Sequence, residues 1–219
     1  MTGGRRRLLL DGAGAVALVG LAVAVSLAWA HPATRPLARF CCWYSPARLA
    51  GGAFWTLPGS ALLLPFVHMV GPTTVMTAAL LLPYALIAGT RRAWGAFFTG
   101  HVVATLAVAV VVLPAAGWNW LPAVVLRDRS DLGASAGLAA AAGALAVRLG
   151  WRRGGLVAGA VVAYFGTHLL LTHRLSDVEH LVALTAGAAF ERWAEGRQPL
   201  RRSRVPQLRE MPHRAACLP

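Results

Sequence analysis

Apolar residues run through this chain in long stretches, and the polar ones collect between them. A helix that crosses a bilayer needs about 20 mostly apolar residues. The pattern predicts six such spans, at about 8–30, 73–90, 95–114, 131–148, 154–171 and 176–191. Residues 31–72 break the rhythm with Pro, Gly and aromatics in HPATRPLAR, CCWYSP and GGAFW. They predict a membrane-associated irregular loop with short helical pieces. Its last part, PGSALLLPFVHMV, is apolar but is cut by Gly71 and Pro72. Pro114 is expected to end the third span, and Trp118 and Trp120 in the following loop suit a membrane interface. Residues 193–219 form a polar, basic tail expected to be disordered. The expectation is an all-alpha polytopic membrane protein with one six-span domain, 1–192.

Composition agrees. The chain is 57% hydrophobic and 13% charged, against about 25% charged in soluble domains. The net charge of +13 would suit nucleic acid, but the placement of the charges does not. All 21 basic residues are Arg, which removes a serine–lysine catalytic pair, and they sit at span ends. With the N-terminus inside, Arg5–Arg7, Arg91, Arg92, Arg148, Arg152, Arg153 and the arginines from Arg192 onward fall on the inner face. Arg35, Arg39, Arg48, Arg127, Arg129 and Arg174 fall outside. This bias predicts a multi-pass protein of the cell membrane with both termini cytoplasmic, and the tail arginines invite contact with anionic membrane lipids. Cys41, Cys42 and Cys217 make no disulfide framework and no CxxC site. The leader MTGGRRR resembles a signal peptide, but the apolar run behind it is long and contains Asp11, so it reads as an uncleaved first span.

Polar groups within spans need partners or tasks. Here they are Asp11, His68, His101, Ser135, His168 and His180. Ser135 and His180 each lie about one turn inside the outer end of a span, and the two spans run in the same direction. A rise of about 1.5 Å per residue puts them at similar depth. An imidazole that meets a hydroxyl is the minimum device for nucleophilic catalysis. Gly133, Ala136, Gly137, Ala140 and Gly143 on one span, and Ala183 and Gly187 on the other, allow close packing. The plain alternative is that Ser135 merely packs and His180 is structural.

GASAG in the fourth span, with His180 and the small-residue ladder of the sixth, resembles the rhomboid intramembrane serine proteases, and the pieces FFTGHVVATL, DLGASAG and DVEHLVAL more closely resemble the divergent rhomboid-like membrane proteins of high-GC actinobacteria. The resemblance covers about 50–192 and implies a six-helix rhomboid-like bundle. It implies Ser135 as nucleophile, His180 as general base, and His68 lining the oxyanion region, with Gly133 and Ala136 flanking the serine. Transmembrane proteins would be the substrates, or the clients of a relative that binds without cleaving. The family pattern Gly-x-Ser-Gly is broken by Ala136. An aromatic four past the serine is replaced by Ala139, and an asparagine four past His68 by Pro72.

Other roles follow from the same residues. His101 bonds a neighbouring carbonyl, Thr99 or Thr105, or holds a polar network with His168. Asp177 either orients His180 or, with Ser176 and Glu179, caps the last span; Asp131 likewise caps the fourth. Asp11 pairs with an N-terminal arginine. A membrane zinc hydrolase built on the histidines competes less well, because no HExxH motif is present. No cofactor or metal is implied. A transporter lacks the broken-helix repeats it would need.

Overall fold

The computed structural model describes residues 3–64, 66–130, 132–172 and 175–197. Asp131, His173, Arg174 and the tail from residue 198, Cys217 included, lie outside them. The described chain is helical throughout: α1 (Gly3–Ala30), α2 (Arg35–Cys42), α3 (Pro46–Ala50), α4 (Thr56–Ser60), α5 (Val70–Met76), α6 (Leu82–Ala88), α7 (Thr90–Gly117), α8 (Leu121–Asp128), α9 (Ser135–Thr172) and α10 (Leu175–Gly196). Four stretches are long and apolar enough to cross a membrane: Leu9–Ala30, Val70–Ala88, Thr90–Gly117 and Ser135–Thr172. Leu10, Val16, Leu27, Val110, Leu156 and Leu170 are exposed, as residues facing lipid would be.

Local chemistry sets the breaks. A turn of π-helix at Thr77–Leu81 joins α5 to α6. Pro83 follows it; a proline ring clashes with the carbonyl four residues back, and the wider turn relieves that clash. Gly89, at φ 91°, turns α6 into α7. Asp11 of α1 reaches this corner: its Oδ1 accepts from the Thr90 backbone N–H at 3.0 Å and the Thr90 hydroxyl at 3.1 Å. A carboxylate on the orphan amides of a helix start is a stabilising cap, here supplied from another helix. α7 continues through Pro114 to Gly117, beyond the expected stop at Pro114. A proline this near the end forfeits a single backbone bond.

α9 is two helices. Gly150, at φ 72°, breaks it into 135–149 and 151–172. The second half folds back on the first, since a Cβ at Gly154 would strike the Ala146 carbonyl. Farther along, Phe165 packs in one cluster with Ala136, Ala139 and Ala140. The region 31–64 forms the short helices α2–α4. Its Tyr44, Leu49 and Leu57 pack on Ala109 of α7.

Candidate functional site

The first half of α9 and α10 form a close seam. A Cβ at Gly143 would collide with the Leu184 carbonyl, and one at Gly187 with the Ala140 carbonyl. Ala183 shares a buried cluster with Ala136, Ala139 and Ala140 at one end of the seam. Arg148 pairs with Glu191 at the other. This order makes the two helices parallel. Small residues let backbones approach where lipid offers no hydrophobic drive for association. α7 closes the third side, with Phe97 against Gly137 and Gly100 against Ala140.

Ser135 opens α9 and is partly buried, while His180 on α10 is 8% exposed. The His180 ring lies flat on Phe165, with centroids 4.1 Å apart and planes 9° apart. Among the described residues, no hydrogen bond joins Ser135 to His180. Ala136 is buried beside Ser135, and Gly133 is buried with φ 125°. That conformation suits only glycine without strain. His68 sits in a turn of 3-10 helix, exposed and stacked on Phe66 at 5.4 Å. A Cβ at Gly133 would meet the end of the side chain of Met69, the neighbour of His68, at 3.7 Å.

Among the described residues, a serine–histidine hydrogen bond lies elsewhere. Ser60 Oγ and His101 Nε2 are 2.9 Å apart, with both residues almost fully buried. Such a contact in a multi-span helical protein is consistent with a catalytic pair. The Ser60 hydroxyl also lies 2.8 Å from the Leu57 carbonyl. A hydroxyl has one proton to give. If Leu57 receives it, the imidazole donates to the serine. The Ser60 carbonyl in turn accepts from the Gly133 N–H at 2.9 Å. Ser60 therefore ties α7 to the loop two residues ahead of Ser135. His101 was expected to find a carbonyl, Thr99 or Thr105. Its Nε2 bonds Ser60 on α4, and Thr105 donates to the His101 backbone carbonyl at 2.7 Å.

Asp177 stands in the first turn of α10, as a helix-start acid would, and its side chain also finds a tertiary partner. Asp177 Oδ2 bonds His168 Nδ1 at 2.8 Å and accepts from Thr172 at 3.3 Å. Asp177 and His168 thus belong to one cluster across the junction of α9 and α10. Glu179 is buried and bonded to the Thr105 hydroxyl at 2.8 Å. Glu191, fully buried, meets Tyr84, Arg92 and Arg148. Glu191 draws no role from sequence, whereas Glu179 reads there only as part of a helix cap. The signal for Glu191 was present: an acid directly at the end of an apolar run, level with arginines at the ends of two other spans.

Among the described residues no three His, Cys, Asp or Glu side chains gather as a metal site. No family model, curated protein or solved structure matches this chain. The fold and site define an all-helical, multi-span membrane protein with a buried serine–histidine contact.

Proposed function

We propose that this protein is a six-span, rhomboid-like intramembrane serine hydrolase that cuts transmembrane protein substrates at a Ser135–His180 centre near the outer surface. The six spans are the four long apolar stretches, with α9 counted as two and α10 added. The observation that carries the reading is the parallel seam of α9 and α10, whose glycine contacts run from Gly143 and Gly187 toward the turns bearing Ser135 and His180. The stack of His180 on Phe165 supports it further. It supplies from α9's return half the aromatic that Ala139 does not. Catalytic hydrogen bonds are often long before substrate binds.

In this mechanism His180 takes the Ser135 proton as Oγ attacks the scissile carbonyl carbon. The imidazolium then protonates the departing amine. A water, deprotonated by the same imidazole, releases the acyl group and restores the serine. The developing oxyanion meets the Ser135 N–H and the His68 ring. Pro72 supplies no donor there, and one missing donor costs about 3–4 kcal/mol.

That cost favours a second reading, a relative that holds transmembrane clients without cleaving them. A third rests on the Ser60–His101 bond itself as the dyad. Its near-complete burial leaves no approach for a substrate carbonyl. Labelling of the purified protein with a serine-reactive fluorophosphonate separates the three. The proposal expects labelling of the parent and of Ser60→Ala, lost in Ser135→Ala and His180→Ala. Loss only in Ser60→Ala and His101→Ala moves the centre to the buried pair. No labelling of folded parent leaves the client-binding reading.

A further inference from the structure

Three arginines of the short-helix region converge on one cleft. Arg35 stands at the start of α2, Arg39 one turn on, and Arg48 on α3. With Pro32, Pro36 and Phe40 they line a space of about 470 Å³. Two of them are held in place by backbone carbonyls. Arg35 donates to the Trp29 and Ala30 carbonyls at 3.0 and 3.2 Å. Arg48 donates to the Arg39 and Trp43 carbonyls at 2.8 and 2.7 Å. A guanidinium has five N–H donors, so both keep donors to spare. Arg39 makes no side-chain hydrogen bond among the described residues.

Among the described residues, no carboxylate answers this charge. The sequence has no acidic residue between Asp11 and Asp128. The ion pairs among the described residues engage Arg92, Arg127 and Arg148, not these three. The surroundings are those of a membrane interface. Leu37, Phe40, Phe54 and Trp55 are exposed beside the cleft. Trp29 stacks on Trp43 at 4.7 Å, and the Phe40 and Trp55 rings meet at a tilt with centroids 5.4 Å apart. A soluble anion would need the cations but not this apolar skirt. A lipid uses both: its phosphate meets the guanidinium forks, and its chains cover the aromatics.

The geometry points to a binding site for the headgroup of an anionic phospholipid in the Arg35–Arg39–Arg48 cleft. This site stands apart from the proposed catalytic centre. The test places the full-length protein in phosphatidylcholine nanodiscs containing a small fraction of bromine-labelled phosphatidylglycerol. Quenching of tryptophan fluorescence and retained lipid by native mass spectrometry are read together. The parent retains phosphatidylglycerol in preference to phosphatidylcholine. Arg39→Gln lowers that preference about five-fold; Arg39→Lys keeps most of it, and Arg127→Gln leaves it unchanged. An Arg39→Gln protein that retains the labelled lipid like the parent overturns the assignment. So does complete displacement of the lipid by millimolar inorganic phosphate, which makes the cleft a site for soluble anions.

Discussion

Ser60 and His101 share a 2.9 Å hydrogen bond in the buried centre of the bundle, and the Ser60 carbonyl holds the N–H of Gly133 at 2.9 Å. One small residue on a five-residue helix thus connects the long helix α7 to the loop that leads into α9. Ser60→Ala removes one partner of a buried ring nitrogen. A buried polar atom left unpaired costs about 1–3 kcal/mol, and thermal unfolding in detergent should show that loss. Under the proposed function, fluorophosphonate labelling of Ser60→Ala slows but persists.

The seam of α9 and α10 makes a sharper prediction. Gly143→Ala and Gly187→Ala drive a methyl group into a facing backbone carbonyl. Overpacking of this kind costs about 1–3 kcal/mol. Gly155→Ala and Gly159→Ala meet nothing within 4 Å, so they remain neutral or gain stability. Unfolding midpoints of the four variants should separate into these two pairs. The labelling rate at Ser135 should fall only in the first pair.

Phe165→Leu keeps an apolar side chain but removes the ring beneath His180. A stacked ring pair adds about 0.5–1.5 kcal/mol beyond its buried area. The expected result is a modest drop in unfolding temperature with a larger drop in labelling rate. A mutant that loses stability but labels like the parent removes the histidine from the proposed chemistry.

Glu191 is enclosed by Arg92, Arg148 and Tyr84. Glu191→Gln removes the buried charge partner of Arg92 and leaves Arg148 only the more exposed Glu195, 3.4 Å away. Breaking a buried pair from one side costs about 3–5 kcal/mol. That loss should appear as poor yield of folded protein, partly recovered by adding Arg148→Met.

Four membrane-length apolar stretches were legible because bilayer thickness sets the length of an apolar run, and Gly150 reverses the chain inside the last of them. The partners of the polar residues were harder to read. His101 pairs across 41 positions with Ser60, and a serine in an apolar loop carries no periodic signal. Asp177 occupies the first turn of α10, where acids commonly cap, and Glu179 follows two residues on. Here tertiary contacts to His168 and Thr105 take them instead. The small-residue ladder was visible as composition. Which glycines face a carbonyl depended on rotation about the helix axis, which spacing alone does not set.

The Arg148–Glu191 pair fastens α9 to α10 at the end of the seam farthest from Ser135. Two rods pinned at one end part most at the other. From Arg148 back to Ser135 the helix rises roughly 20 Å, so a swing of about 10° around that pin carries the serine end sideways by roughly 3 Å. A guest entering between the helices from the surrounding fatty acyl chains would find the widest gap at the unpinned end, and the fastening that keeps the pair together would also decide which end yields.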